Sequence, residues 1–272
     1  RIMPETKIIV LDDDPTGSQT VHGCLLLTRW DVETLRQGLT DASPLLFILT
    51  NTRAMGAEQA AAVTREVCHN LKMALAREPE GRELHPLFVS RSDSTLRGHY
   101  PVETDVMAEE LGPFDAHFLT PAFFEGGRLT RDSTHYLLVD GQPVPTAQTE
   151  FARDSVFGYS TSFLPDYVAE KTQGRIPASQ VERFLLAEVR AGVRDRLLAL
   201  RGNACGVVDA ENQVDLDHFA DDVLTSVAEG KRFLFRSAAS LLTALARLPP
   251  QPVATEAMRA YVRGGRPGAV IV

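Results

Sequence analysis

Lys7-Ile-Ile-Val-Leu-Asp-Asp-Asp-Pro-Thr-Gly-Ser18 runs from an unbroken apolar stretch straight into a polar turn. A half-exposed strand alternates apolar and polar residues; a strand covered on both faces reads as a continuous apolar run, as Lys7–Leu11 does. The same transition recurs three times. Leu87-Phe-Val-Ser90 leads into Arg91-Ser-Asp-Ser-Thr-Leu-Arg-Gly-His99, and Phe47-Ile-Leu49 into Thr50-Asn-Thr-Arg53. His117–Thr120 leads into Pro121-Ala-Phe-Phe-Glu-Gly-Gly-Arg128. Further short apolar runs lie at Gly206–Asp209, Phe233–Phe235 and Ala269–Val272.

Helical spacing fills the intervals. In Ala57–Arg77 the positions Ala60, Val63, Val67, Leu71 and Ala74 fall on one face of a helix. Val102–Leu111, Ser179–Leu200 and Leu216–Glu229 read the same way, with Asp215 as expected N-cap of the last and Gly230 as the residue just past its end. Strands alternating with helices predict an α/β fold, a mainly parallel sheet flanked by helices. Residues 121–165 break the alternation. Their Gly, Pro, Thr and aromatic content predicts an irregular, β-containing excursion, and so long an interruption is usually functional or carries structure of its own.

Composition narrows the partners. The 272 residues carry a formal net charge of −8, which argues against nucleic acid and anionic membranes, since both call for a basic face. No apolar run approaches the ~20 residues of a membrane span, and the first residues show no signal-peptide pattern. The three cysteines, Cys24, Cys68 and Cys205, are odd in number and widely spaced. They form neither a disulfide framework nor a zinc pattern, and a reducing cytoplasm fits them best. The seven histidines show no metal-ligand spacing, and there is neither a Gly-x-Ser-x-Gly elbow nor a Gly-Lys-Ser/Thr phosphate loop.

The polar turns carry the chemistry. Ligands of α/β sheets bind outside the carboxyl ends of the strands, where all four turns fall. Arg91, Asp93, Ser94, Thr95 and Arg97 place two cations, a carboxylate and hydroxyls within seven positions, a mixture suited to a small polyhydroxylated anion. Arg97, Arg53 or Arg91 would hold its carboxylate, arginine being the bidentate partner of such groups. Asp13 and Asp14 would bond its hydroxyls, with Thr16, Gly17 and Ser94 beside them. Asp93 would orient or deprotonate an attacking hydroxyl. A locally hydrogen-bonded Asp/Ser/Thr turn is the simpler alternative for each stretch.

Taken together, Asp13-Asp-Pro-Thr-Gly17, Asp93-Ser-Thr-Leu-Arg-Gly98 and Pro121–Arg128 resemble the four-carbon acid-sugar kinase family, some of whose members carry a type III effector label. Thr50–Arg53, Gly158-Tyr-Ser-Thr-Ser162 and Gly230-Lys-Arg-Phe-Leu-Phe-Arg-Ser237 match in order and spacing, so the resemblance runs from about residue 7 to 272. It implies ATP-dependent phosphorylation of threonate, erythronate or a 3-oxo relative. It also implies an acid-sugar-binding domain over 1–263, and a linker and first strand of a nucleotide-binding domain over 264–272. The nucleotide site would then lie beyond Val272, with Mg²⁺ accompanying ATP mostly outside this segment and no metal ligand assigned within it. Asp12 and Arg91 depart from the family pattern, where a small residue and a lysine are common, and suggest a subgroup. A non-catalytic sugar-acid-binding module and an effector-like interaction protein are the alternatives. A homo-oligomer is compatible with all three.

Overall fold

The computed structural model describes residues 5–18, 21–78 and 84–247. In chain order the strands and helices are β1 (Glu5–Asp12), β2 (Leu25–Leu27), α1 (Val32–Thr40), β3 (Leu45–Leu49), α2 (Ala57–Leu75), β4 (Leu84–Arg91), α3 (Val102–Leu111) and β5 (Ala116–Thr120). The excursion follows as β6 (Arg128–Arg131), β7 (Thr134–Val139) and β8 (Gln142–Pro145). The chain continues through α4 (Leu164–Lys171), β9 (Glu182–Phe184), α5 (Leu186–Ala191), α6 (Arg194–Ala199), β10 (Ala204–Val208), α7 (Gln213–Ala228), β11 (Phe233–Ser237) and α8 (Ala239–Ala246).

Among the described residues, one eight-stranded sheet runs in the order β2-β3-β1-β4-β11-β5-β10-β9, and its pairs are parallel. The expected α/β architecture is therefore the one observed. Side-chain alternation sorts the layers. Ile9, Leu11, Leu46, Ile48, Phe88 and Leu234 meet α1, α2 and α3 on one face. Ile8, Val10, Phe47, Val89, Phe118 and Phe235 meet α5 to α8 on the other. Phe118 anchors that second core against the rings of Phe184, Phe219, Phe233 and Phe235. Burying one such ring stabilises by roughly 1.5–3 kcal/mol.

The excursion carries structure of its own. β6, β7 and β8 form an antiparallel three-stranded sheet, and α4 packs through Leu164, Tyr167 and Val168 onto Leu119 and Val207 of the main sheet.

Two sequence expectations are corrected. The helix expected over Ser179–Leu200 is instead β9, α5 and α6. The apolar spacing suits a helix, but Glu182–Phe184 pair with β10 as an edge strand, and Gly192, at φ +107°, turns the chain between the two short helices. The N-cap of α7 is Asn212, whose side chain accepts from Asp215 N, while Asp215 is the reciprocal partner three residues on. Gly230, at φ +98°, does follow the helix as expected. The linker and strand expected over 264–272 lie outside the described residues.

Candidate functional site

Each polar turn named by the sequence sits at the carboxyl edge of the sheet, because β1, β3, β4 and β5 run in the same direction. β1 brings Asp12 and Asp13 there, both fully buried. Asp13 accepts from Arg53 Nη2 at 2.6 Å and Nε at 3.2 Å, the planar fork meeting both carboxylate oxygens. Arg53 is aimed by the short turn after β3, whose backbone N also donates to the Asp13 carbonyl. Asp14 caps its own turn instead, accepting from the Thr16 amide and hydroxyl at 2.8 and 2.6 Å. Burial works against its charge, yet those bonds and the Arg53 cation hold the Asp14 carboxyl below the ordinary range. Gly17 continues that turn.

Asp12 pairs with Arg91 at 3.4 Å across adjacent strands. The pair is loose: Asp12 Oδ2 and Arg91 Nε are buried without partners. Burial pushes the Asp12 carboxyl up to about 6, against the pull of Arg91.

Asp93 lies on the loop after β4. Its Oδ2 accepts from Arg97 Nε at 2.8 Å and from the Thr95 hydroxyl; no other donor reaches the carboxylate among the described residues. Desolvation raises its pKa, but these bonds and the charges of Arg97 and Arg53 prevail and lower it. Asp93 is thus an ionised acceptor with Oδ1 open. Arg97 also approaches Asp154 at 3.7 Å and lies over the Phe151 ring.

The excursion holds this loop by its backbone. Tyr159 Oη donates to the Thr95 carbonyl at 2.6 Å and Tyr167 Oη to the Leu96 carbonyl at 2.8 Å. His135 Nε2 donates to the Ser94 carbonyl at 2.6 Å, while its Nδ1 accepts from Thr130. Burial lowers the His135 pKa to about 4, which keeps it neutral at neutral pH, and the Ser94 carbonyl, an obligate acceptor, places the proton on Nε2. Ser94 therefore enters the geometry through its carbonyl. Gly98 closes the loop at φ +125°, and a Cβ there would overlap Ser92 Oγ and press on Arg236 Nη2 at 2.7 Å.

A crevice opens between the ends of β4, β11 and β5. Its polar wall is Ser92, Asp93, Arg97, Arg236 and Ser237; its floor includes Leu96, Tyr100, Leu119 and Tyr167. Asp93 and Arg97, both expected from sequence, line it. Asp13 and Arg53 stand behind it, joined to the wall by the Ser92 hydroxyl, which lies 2.8 Å from Asp13 Oδ2 and 3.0 Å from the Arg97 carbonyl. One hydroxyl proton serves only one of these acceptors at a time. Asp14, Thr16, Gly17 and Arg91 are not part of the lining.

Arg236 and Glu103 were not singled out from sequence. Arg236 Nη1 donates to Ser90 Oγ at 2.7 Å and faces Glu103 at 3.7 Å. Burial pushes the Glu103 carboxyl upward while Arg236 opposes. A signal was present: Arg236-Ser237 follows the apolar run Phe233–Phe235, as the other polar turns follow theirs.

A parallel sheet with a cation-bearing crevice at its strand ends defines an α/β ligand-binding domain. The chain belongs to the family of sugar-binding N-terminal domains, whose model matches residues 8–245, and the resemblance to four-carbon acid-sugar kinases is borne out. A D-erythronate kinase from Heliobacterium modesticaldum is 30% identical over 227 residues, covering 79% of this chain and 47% of that one. The chain thus spans about half the length of this curated relative. A domain of unknown function from Bordetella bronchiseptica, solved with bound citrate as a domain-swapped dimer, is similar with a TM-score of 0.65 and 25% identity, over 88% of this chain and 55% of that one. A Haemophilus influenzae protein shares the fold with a TM-score of 0.63 at 18% identity, over 88% and 55% of the two chains.

Proposed function

We propose that this chain is the acid-sugar-binding part of an ATP-dependent kinase that phosphorylates a four-carbon sugar acid of the erythronate or threonate type. The observation that carries the reading is the crevice wall itself: Asp93, with one open carboxylate oxygen, shares the lining with Arg97 and Arg236 and with Ser92 and Ser237. Two guanidinium groups suit the acid's carboxylate, and Asp93 Oδ1 suits a hydroxyl. Citrate bound to the Bordetella protein supports an anionic, hydroxylated ligand, and its swapped dimer supports a homo-oligomer.

In the reaction the hydroxyl oxygen bonds to the γ-phosphorus of ATP, the bond from that phosphorus to the β–γ bridging oxygen breaks, and ADP leaves with the electron pair. The hydroxyl proton is directed toward Asp93. Arg97 and Arg236 hold the other end of the acid, so the attacking oxygen is positioned before transfer. Mg²⁺ would neutralise charge on the transferring group. Among the described residues no group of three His, Cys, Asp or Glu side chains converges to hold a metal, so no seat for it is assigned here.

Calorimetry tests the reading. The chain is expected to bind D-erythronate or threonate and to bind ATP weakly or not at all. Tight ATP binding without sugar-acid binding would overturn it.

A further inference from the structure

Arg128 is the arginine of this region that has no acidic partner. Arg53 pairs with Asp13, Arg91 with Asp12, Arg97 with Asp93 and Arg236 with Glu103. Among the described residues no carboxylate lies in ion-pair range of Arg128, and its Nε is buried without a hydrogen-bond partner. Desolvation lowers its pKa, so the site bears the cost of an uncompensated cation.

Its surroundings hold it in place. Arg128 opens β6 directly after the turn Phe124–Gly126, and its backbone exchanges two hydrogen bonds with Phe123 at 2.8 and 2.9 Å. The guanidinium lies 5.7 Å from the Phe123 ring centroid. It also occupies the space a side chain at Gly126 would need: a Cβ there would overlap Arg128 Nη1 and the Phe123 ring. Arg128 and Thr130 alternate onto the same face of β6, and Thr130 reaches the Asp93 loop through His135 and the Ser94 carbonyl. The charges of Asp93 and Arg97 both act on Arg128. Yet Arg128 is absent from the crevice lining, where Arg97 and Arg236 already face the ligand.

We propose that Arg128, braced on Phe123 beside Gly126, is a catalytic residue whose guanidinium binds the oxygens of the transferring phosphoryl group at the rim of the crevice. The inference rests on the phosphoryl-transfer reading above. The oxygen held by Asp93 is the one that gains the phosphoryl group, so the new negative charge develops on the Asp93 side of the rim. A guanidinium with free donors meets phosphate oxygens in a planar fork. The role is electrostatic: as the β–γ bond breaks and the new phosphorus–oxygen bond forms, Arg128 neutralises charge on the equatorial oxygens.

The test uses the whole protein that carries this domain, with inorganic phosphate as the probe, titrated by calorimetry in saturating D-erythronate. Arg128→Gln removes the cation. Gly126→Ala keeps it but displaces it, since Gly126 has no positive φ to prevent the exchange. Both variants are expected to weaken phosphate by roughly 10- to 100-fold while D-erythronate affinity stays within about twofold. Unchanged phosphate affinity in Arg128→Gln would overturn the proposal, as would a wild-type protein that takes no phosphate beside D-erythronate. If D-erythronate weakens as much as phosphate, Arg128 holds the acid's own carboxylate and the proposal also falls. A wild-type protein that binds neither D-erythronate nor threonate would overturn the sugar-acid reading itself, a result separable from the others.

Discussion

Two polar clusters share one sheet edge, and they differ in how completely their charges are matched. Behind β1 and β3, Asp13 has both oxygens on Arg53, and Asp14 is capped by Thr16. Around β4, β11 and β5, Asp93 keeps one oxygen open, and Arg236 faces Glu103 only at 3.7 Å. There, among the described residues, the Ser237 and Thr120 hydroxyls and Arg128 Nε are buried without partners. Buried polar groups are nearly always hydrogen-bonded in folded proteins, so a local excess of unmatched ones marks a place completed by something else. The matched cluster backs the crevice wall, and the unmatched one supplies it, which is where the proposed ligand would be met.

The same chemical change on each side tests this division, and it carries the largest expected effects. Asp93→Asn removes charge and basicity where the proposed ligand's hydroxyl would be held. Turnover of the whole enzyme is expected to fall by roughly 10²–10⁴-fold, with urea stability little altered. Asp13→Asn leaves the half-buried Arg53 cation with only the looser Asp14 carboxylate at 3.6 Å among the described residues. It is expected to cost on the order of 3 kcal/mol in urea unfolding, because removing one member of a buried pair leaves the other uncompensated. If Asp93→Asn unfolds the protein while Asp13→Asn abolishes turnover without changing stability, the two roles are reversed.

Asp12 and Arg91 are the exception on the matched side. Their 3.4 Å pairing leaves an atom of each unsatisfied, and the Asp12 carboxyl is raised by burial from 3.8 to about 6. Between these two values the folded state holds a proton that the unfolded chain has lost, so the charge destabilises as pH rises through that window. Asp12→Asn is therefore expected to be more stable than the parent above pH 7, by on the order of 2 kcal/mol. The gain should shrink as pH falls from 6 and vanish below about 4, the ordinary carboxylate range. Thermal unfolding at pH 4, 6 and 8 measures it. A variant less stable at pH 8 would mean that Arg91 needs this carboxylate more than the buried charge costs.

The sheet was legible in the sequence because fully covered parallel strands leave continuous apolar runs, as Lys7–Leu11 and Leu45–Leu49 do. The edge strand Glu182–Phe184 was not. It is short and bears two exposed charges, and its neighbours repeat at helical spacing, so tertiary pairing alone distinguishes it. Within the site, Asp93 and Arg97 announced themselves by sequence density and do line the crevice. Arg236 and Arg128 stand alone in apolar or glycine-rich stretches. Only strand order, which inserts β11 between β4 and β5, brings Arg236 beside Asp93. The pairing of Asp13 with Arg53 was equally hidden: sequence offered each of them to the ligand, and the fold satisfies them against each other.

The smallest expected effect probes how the excursion joins the two clusters. Tyr159 sits far from the Asp93 loop in sequence, yet its hydroxyl donates to the Thr95 carbonyl at 2.6 Å, and Tyr167 does the same for Leu96. Both rings are buried, and burial raises the Tyr159 pKa to about 12 and pushes that of Tyr167 up as well, so at neutral pH each keeps the proton it donates. Tyr159→Phe retains the ring and its edge contact with Tyr167 while removing that one donor. The Thr95 carbonyl then loses its partner, and a stability loss of about 1 kcal/mol is expected, the usual net value of one such bond. The more telling measurement is D-erythronate affinity. Thr95 also donates to Asp93, so a loosened Thr95 backbone should reach the open carboxylate oxygen and weaken binding by a factor similar to the stability loss. A variant with lowered stability and unaltered affinity would show that the excursion merely covers the sheet. Weakened affinity would make it the brace that keeps the unmatched side of the edge in shape for its ligand.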